Sequence, residues 1–404
     1  MEWLKKQDVA SWVLKGFFVF ALLFPAFYSP HTDVYQSAYY EGFSWAYLFL
    51  VIYMGLKLWQ NWGKQRKISL ICGLYLGILG LYNLLSIYFN YRYLHWYWEQ
   101  INNTVAFLLF LVLLLCEIKL EEEGQDLIRF LIHCIVLSNI GSLVYYVLGY
   151  TNLIICNNQF IFYAIPDSFY EARHYWIYSH KSEYALMLVL FVALFVAYRE
   201  KFKNLVTFGL SLLVLLACLY LTHSWIGVAG VLLIFVGSIL DKIDWKDFHL
   251  KIGYIVGIGA FCIMGCVVGY YALAERDFMS LGGRTRIWPT ALEIIKKHPE
   301  GWGMRFGESA IEVAEGWYVN NAHNLFLNAI LRFSVPVGIC FTLLFLGIAI
   351  YSLAKSRSFL AAGMWIAVLI LLNMDYALMS LQMALLFLIV YLVCFGKRKE
   401  RDVG

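Results

Sequence analysis

The stretch YALMLVLFVALFVAY, residues 184–198, contains no charged side chain and is apolar almost throughout. Runs of this character recur along nearly the whole chain of 404 residues, and each is close to the roughly 17 to 25 residues that cross a bilayer as a helix. Hydrophobic residues make up 62% of the sequence and charged residues 14%, a balance that excludes an ordinary soluble domain. The composition therefore predicts an all-α, polytopic integral membrane protein.

The apolar runs and the polar breaks between them predict about twelve transmembrane helices. Little of the chain is left for a separate soluble domain, so residues 1–404 are interpreted as one integral membrane domain. The basic start, MEWLKKQ, has no small-residue cleavage site and is interpreted as leading into a retained first span. The predicted spans lie near 12–29, 43–59, 68–89, 104–116, 127–148, 184–198, 205–222, 225–240, 252–273, 335–353, 358–373 and 376–396.

Lysine and arginine are distributed unevenly over the predicted loops. Cytoplasmic loops carry an excess of both residues, and that rule places both termini in the cytoplasm. The inner loops hold mostly lysine, whereas the outer loops hold mostly arginine, which is suited to bidentate capture of phosphate or carboxylate. Any single outer arginine has the simpler interpretation of pairing with glutamate or a lipid headgroup. As a set, they favour an anionic ligand.

Two predicted extracytoplasmic segments, 149–183 and 274–323, are long enough to build a site, and the larger one joins helices nine and ten. Long loops in compact proteins are more often functional than idle. Within the larger loop, Gly282 and Gly283 precede an amphipathic helix with Pro289 in its first turn and Pro299 beyond its end. Arg284 and Arg286 fall near its N-terminus, where an anion is favoured.

Other residues of the same loop have two interpretations each. Gly301 and Gly303 allow either close backbone approach to a ligand or a tight turn. Glu308, Glu312 and Glu315 have helical spacing and predict the polar face of a second short helix. Glu275 and Asp277 come nearest to a cation-binding pair and are interpreted as a solvated loop pair, so no metal site is expected.

The segment HNLFLNAILRFSVPVG, residues 323–338, opens with a polar pair and continues as an apolar, helix-prone run. His323 fits the cap of a helix or an interfacial anchor, and Asn324 is a normal capping residue. The same predicted outer face carries Arg173, Arg284 and Arg305. An imidazole that titrates near neutral pH beside such arginines suits acid or base catalysis on a phosphate-linked substrate.

These motifs together resemble the large external loop of the O-antigen ligase and Wzy-type polysaccharide polymerase superfamily. The family pattern places Arg four residues before Trp, then Pro-x-Gly-x-Gly, then His-Asn leading into a helix. GGRTRIWPTALEIIKKHPEGWG matches through Arg284 with Trp288 and through Pro299, and His323 with Asn324 follows. The earlier segment RHYWIYSHKSEYA is similar to a further family motif, which points to Arg173 and to Ser182, where Asn is usual.

Two features depart from the family pattern. A Gly-x-x-Gly that usually follows the His-Asn pair is replaced by SVPVG, which retains only Gly338. A Ser-Arg between two middle spans is represented by Ser224 followed by Trp225. The resemblance covers roughly residues 170 to 340, and the earlier spans match in character only.

The resemblance implies a fold and a chemistry. The fold is a GT-C-like membrane architecture in the bacterial cytoplasmic membrane, and the substrate is an oligosaccharide linked to undecaprenyl diphosphate. Arg173 and Arg284, with Arg286 and Arg305, would clamp the diphosphate, and His323 would activate the acceptor hydroxyl. Asn324, Trp288 and Ser182 are the further residues expected to bind substrate. No metal or other cofactor is expected.

Three functions remain open at this level. A polymerase joining lipid-linked repeat units is favoured, because no acceptor site specific to a ligase is evident. A ligase would transfer the glycan to a lipid or protein acceptor, and a lipid-linked oligosaccharide flippase would need charged residues lining its spans. Membrane lipid, a chain-length regulator and a flippase are the partners that such a polymerase would meet, and no nucleic acid is expected. Nine cysteines lie mostly inside apolar runs, which argues against a disulfide framework.

Overall fold

The computed structural model describes residues 6–29, 42–62, 68–91, 97–120, 126–165, 173–243, 283–301, 311–319, 321–374 and 380–396. The described chain is mostly helical. The helices are α1 (Lys6–Leu22), α2 (Trp45–Asn61), α3 (Leu70–Asn90), α4 (Tyr97–Leu115), α5 (Leu127–Val147), α6 (Lys181–Ala197), α7 (Leu205–Leu221), α8 (Trp225–Leu240), α9 (Arg284–Lys297), α10 (Leu325–Phe333), α11 (Val335–Ser356), α12 (Phe359–Met374) and α13 (Ser380–Phe395). The strands are β1 (Ala26–Tyr28), β2 (Phe43–Ser44), β3 (Tyr150–Cys156), β4 (Gln159–Ala164), β5 (Ile311–Ala314) and β6 (Trp317–Val319).

Most predicted spans coincide with a helix to within a few residues, and the span predicted near 252–273 lies outside the described residues. The first prediction ran too far, since α1 ends at Leu22 and β1 follows. Pro25 explains the early end, because proline donates no hydrogen bond and disfavours helix in the residue before it. Helix α4 begins seven residues before the predicted 104, because its polar first turns are buried against other helices.

Four helices of the described residues are long and apolar enough to cross a membrane: Leu70–Asn90, Trp98–Leu115, Leu127–Val147 and Val335–Ser356. Shorter apolar helices, such as Leu205–Leu221 and Phe359–Met374, accompany them. The protein is therefore an integral membrane protein. The total of about twelve spans stays a prediction.

Helices α6 and α13 form the centre of the bundle. Along α6, every residue from Tyr184 to Phe195 is at most 1% exposed, and α13 is buried to a similar extent. Helices that are apolar all round belong at such a position. On the outside, α3 and α7 expose large apolar side chains, among them Leu70, Leu84 and Leu210, as expected for surfaces that face lipid.

Close contact of α8 with α12 depends on small residues. A Cβ atom at Gly363 would lie 2.5 Å from the carbonyl oxygen of Leu233, and one at Gly237 would lie even nearer to that of Phe359. Small residues allow membrane helices to approach backbone to backbone, where packing rather than water drives association. In α11, by contrast, a Cβ at Gly347 would meet nothing within 4 Å.

Hydrogen bonds at the helix ends define two faces of the bundle. At one face, called the loop face, the amide of Asn90 at the end of α3 bonds the carbonyl of Phe333 at the end of α10, and Asn324 at the start of α10 bonds Asn373 near the end of α12. At the opposite face, Asp241 after α8 accepts from the backbone N–H groups of Phe359 and Leu360 at the start of α12.

Two small sheets correct the all-α prediction. The first has the order β2-β1-β3-β4, in which β1 runs parallel to β3 through Ala26↔Ile155 and antiparallel to β2 through Phe27↔Ser44. Strands β3 and β4 form a hairpin within the segment that had been predicted as a loop. Asn157 and Asn158 at its tip have φ of 50° and 63°, as a two-residue primed turn requires.

The second sheet is the β5–β6 hairpin, and it contradicts the short helix predicted over the glutamates. Glu312 lies in β5 and Glu315 in the turn, while Glu308 lies outside the described residues. Gly316, with φ of 74°, closes the turn in a conformation that favours glycine. Burial alternates along β5, with Ile311 buried and Glu312 exposed. The side chains therefore follow the two-residue alternation of a strand and not the spacing of a helix.

Replacing Gly363 by Ala should destabilise the bundle by about 1 to 3 kcal/mol, because the added methyl forces α8 and α12 apart. Thermal unfolding of the purified protein in detergent measures the loss. Gly347→Ala is the matched control, and it should leave stability unchanged or raise it slightly, since alanine favours helix. Equal midpoints for the two variants would refute the close packing of α8 on α12.

Candidate active site at the loop face

Helix α9 and the β5–β6 hairpin pack on α10 through a small apolar core of their own. Its buried members are Ile287, Ala291, Ile311, Ala322 and Leu331, and Trp288 packs against them. The predicted amphipathic helix is thus confirmed, and it ends at Lys297 before Pro299. Pro289 is its sixth residue and not part of its first turn, because the helix begins directly after Gly283.

The turn after α9 contacts the α10–α11 junction. Gly301 has φ of 77°, and a Cβ there would lie 2.5 Å from the backbone nitrogen of Ser334. The N–H of Val335 donates to the carbonyl of Pro299 at 2.9 Å. The close approach that the sequence suggested at Gly301 is therefore made by the chain itself. Gly303 lies outside the described residues.

The peptide groups of Ala322 are fixed from two helices. The indole Nε1–H of Trp288 on α9 donates to the Ala322 carbonyl at 3.1 Å, and the Ala322 N–H donates to Oδ1 of Asn328 on α10 at 2.8 Å. Ala322 itself is fully buried. The backbone just before His323 is therefore anchored in both directions.

His323 has a left-handed backbone with φ of 48°, uncommon for a residue other than glycine. Its N–H donates to Oδ1 of Asn321 at 2.7 Å, and the residue is half-buried. A backbone of this kind costs of order 1 to 3 kcal/mol and persists only where neighbouring groups fix it. The structure thus places an imidazole at the mouth of α10 in a conformation that the surrounding bonds determine.

Asn324, and not His323, caps α10. Its Oδ1 accepts from the N–H groups of Phe326 and Leu327 at 3.0 Å each, which satisfies two otherwise unpaired donors of the first turn. Its Nδ2 donates to Oδ1 of Asn373 at 2.8 Å and joins α10 to α12. The amide of Asn324 is therefore used to fix the helix start, and the predicted contact of this residue with substrate stays a prediction.

The two arginines of α9 project from different sides of the helix. Arg284 is the first residue of the helix and is half-buried, whereas Arg286 is exposed. Two positions correspond to about 200° around an α-helix, so such residues do not face one another. Only Arg284 lies on the side of the helix that carries the buried Ile287 and Ala291. Arg305, Glu275 and Asp277 lie outside the described residues.

Arg173 is positioned by its neighbour, His174. The backbone N–H of His174 donates to the carbonyl of Leu221 at the end of α7 at 3.1 Å, and its Nε2 lies 2.6 Å from the hydroxyl of Ser142 on α5. His174 is fully buried, and burial lowers the pKa of its imidazole to about 4. A neutral, immobile His174 thus holds the half-buried Arg173 at the loop face.

Ser182 lies in the first turn of α6 and is buried. Its backbone N–H donates to Nδ1 of His180, which caps α6. Next to it, Glu183 accepts from the hydroxyl of Ser179 at 2.6 Å. This part of the predicted site is therefore built on α6, whereas Trp288, His323 and Asn324 are brought together by α9 and α10.

A buried ion pair beside α10 was missed by the sequence analysis. Nη1 of Arg332 lies 3.2 Å from Oε2 and 3.3 Å from Oε1 of Glu99, and both side chains are 6% exposed. Glu99 stands in the first turn of α4 and Arg332 in the last turn of α10, where the helix dipoles favour these charges. With Asn103 and Asn328, the pair lines a pocket of about 10 Å³, enough for one water molecule.

The signal for this pair was present in the sequence. Ionisable residues at the edge of apolar helices in a membrane protein are costly and mark functional or paired positions. Arg332 lies within the helix-prone run 323–338, and Glu99 lies just before the span predicted near 104–116. The two residues are 233 positions apart in the sequence. The sequence therefore shows that each is unusual but not that they pair with each other.

Stability should fall as pH is lowered from about 6.5 toward about 4, because the unfolded chain then binds a proton that buried His174 does not. The sign follows from a folded-state pKa below the unfolded value, and the contribution is fully present above pH 6.5. At about 1.4 kcal/mol per pKa unit, it amounts to at most about 3.5 kcal/mol. Thermal unfolding at several pH values, for wild type and His174→Gln, measures the difference in slope. Equal slopes for the two proteins would contradict this assignment.

Comparison with known proteins places a match on this part of the chain. Residues 175–342 match the family model described as O-antigen ligase. The matched segment begins two residues after Arg173 and contains α6 to α10, with Arg284, Trp288 and His323. No curated protein matches the sequence at a significant level.

Proposed function

Because residues 175–342 match the family model described as O-antigen ligase, we propose that the protein is a polysaccharide polymerase of the bacterial cytoplasmic membrane. It joins oligosaccharide repeat units that are carried on undecaprenyl diphosphate. The observation that carries the proposal is His323, an imidazole fixed at the mouth of α10 within the matched segment, on the face of the bundle that also holds Arg173 and Arg284.

The donor's leaving group is neutralised by arginine. As the bond from the anomeric carbon to the diphosphate oxygen breaks, negative charge grows on the diphosphate. Arg284, at the N-terminus of α9, and Arg173 place guanidinium groups where that charge develops, and donors arranged in advance lower the barrier most. Arg286 is exposed and Arg305 lies outside the described residues. Both are therefore assigned a smaller part in binding the diphosphate than Arg173 and Arg284. These cations supply the charge neutralisation without a cofactor.

His323 activates the acceptor. The neutral imidazole takes the proton of an acceptor sugar hydroxyl, the hydroxyl oxygen forms its bond to the anomeric carbon, and the lipid diphosphate leaves. A histidine is suited to this step because an imidazole nitrogen can both accept and donate a proton. The fixed backbone at His323 contributes by holding the base in place before the substrate arrives.

A ligase is the second candidate, favoured by the description of the matching family. It would use the same donor site and the same base, and the acceptor would be a lipid or protein in place of another repeat unit. Either enzyme requires the loop face to lie outside the cytoplasm, where the lipid-linked substrate is exposed. A flippase and a chain-length regulator are the partners expected before and beside this step.

Loss of His323 should abolish chain growth. A strain that lacks the gene is complemented with wild type or with His323→Ala, and the lipid-linked and surface glycans are resolved by size. Wild type should extend single repeat units into a ladder, and His323→Ala should leave single units. Arg284→Ala should lower the polymer yield on the order of 10²-fold or more, and Arg286→Ala, the matched exposed arginine, should have a much smaller effect.

The other outcomes of this experiment separate the candidates. Long chains that stay on the lipid carrier and fail to reach an acceptor identify a ligase. Single units that remain on the cytoplasmic side identify a flippase. Full activity of His323→Ala and Arg284→Ala removes both residues from the mechanism.

The loop face should be extracytoplasmic. In a variant whose natural cysteines are replaced, Lys297→Cys at the end of α9 should react with a membrane-impermeant maleimide in intact cells. Lys203→Cys, in the exposed turn before α7 at the opposite face, should react only after the membrane is opened. The reverse pattern would contradict the proposed orientation.

A further inference from the structure

We propose that Trp288 and Asn328 are positioning residues that hold the peptide groups of Ala322 and thereby fix His323. The proposal rests on the proposed function, since it gives His323 the role of the base. It assigns to Trp288 a task other than the substrate contact predicted from the sequence. Neither side chain is required to touch substrate or the reacting atoms.

The two bonds to Ala322 act from opposite sides of one residue. Trp288 donates to its carbonyl from α9, and Asn328 accepts from its N–H from α10. Both backbone polar groups of a fully buried residue are thereby satisfied, and the loss of either partner leaves a buried group unpaired. Ala322 cannot rotate without breaking both bonds, so the direction in which the chain enters His323 is fixed.

The next residues complete the constraint. The N–H of His323 is held by Asn321, and Asn324 caps α10. The left-handed φ of 48° at His323 therefore lies between two anchored residues. Without the anchor at Ala322, the ordinary preference of a non-glycine residue for negative φ would turn the imidazole away.

The position of Asn328 is fixed by the C-terminal half of α10. It is 1% exposed and stands one helical turn before Arg332, whose ion pair with Glu99 ties α10 to α4. Its Nδ2 has no hydrogen-bond partner among the described residues, and Asn328 lines the water-sized pocket with Asn103. Asn328 thus transmits the position of α10, set by α4, to the backbone before His323.

The test compares Trp288→Phe with Ile287→Val. Trp288→Phe keeps an aromatic ring in the small core and removes the N–H donor, while Ile287→Val removes one methylene from the same core and no hydrogen bond. Hydrogen exchange is measured on the purified protein for peptides covering residues 321–328. Turnover is measured in liposomes with purified lipid-linked repeat units at limiting and saturating concentrations.

Trp288→Phe should speed exchange at residues 321–324 about tenfold, the equivalent of one lost hydrogen bond. Turnover at saturating substrate should fall about tenfold with the half-saturating concentration unchanged. Ile287→Val should change neither. Asn328→Leu should repeat the effect of Trp288→Phe, because it removes the other half of the anchor.

Unchanged exchange in Trp288→Phe, or equal losses in Ile287→Val, would overturn the proposal and leave only general packing. His323→Ala is run in the same assay to separate this from a failure of the proposed function. Full turnover of His323→Ala would show that His323 is not the catalytic base. The exchange measurement would still decide whether Trp288 anchors the backbone of Ala322.

Discussion

The attachment of α10 at both ends is the constraint on which the site depends. Nine residues are too few for a helix that is stable alone, and α10 is fixed by its neighbours. Asn324 joins its start to α12 through Asn373, and Arg332 joins its end to α4 through Glu99. With both ends held, the residue just before the cap, His323, has a defined position.

The same constraint explains why polar groups are buried at this face. Burial of an ion pair costs desolvation energy that only good geometry repays, and removal of one partner typically costs 3 to 5 kcal/mol. Glu99 and Arg332 meet where two helix dipoles favour their charges. His174 and Ser142 form a second buried polar contact at the same end of the bundle. The Glu99–Arg332 pair holds the helix that follows His323, and His174 is the neighbour of Arg173 in the chain. Buried polar contacts therefore adjoin two of the predicted site residues.

Much of the fold was predictable because a membrane helix is encoded by one property, a long apolar run. The strand β1 was not, because it pairs with β3 about 130 residues away and its three residues are too few to show a period. The start of α4 was missed for a related reason. Its polar residues are buried, and Glu99 among them pairs with Arg332 of α10, whereas a linear sequence shows only their polarity.

The site was predictable in part. Arg284 and His323 were predicted from their places in the loop as well as from the resemblance, and Trp288 from the resemblance alone. The structure brings Trp288 and His323 together through the backbone of Ala322. The hydrogen bonds to that backbone carry no side-chain signature at residue 322, so neither Trp288 nor Asn328 could be assigned its positioning part from sequence. Arg284 and Arg286 looked equivalent in the sequence, and only the helix start at Arg284 separates their directions.

The central claim is that the loop face binds a lipid-linked diphosphate. The most direct measurement is photocrosslinking of the purified protein with a photoactivatable polyprenyl diphosphate, followed by mapping of the labelled peptides. The account predicts labels near Arg173 and in α9 and α10, reduced by Arg284→Ala and by excess inorganic diphosphate. Labels confined to the opposite face, or unchanged in Arg284→Ala, would contradict it.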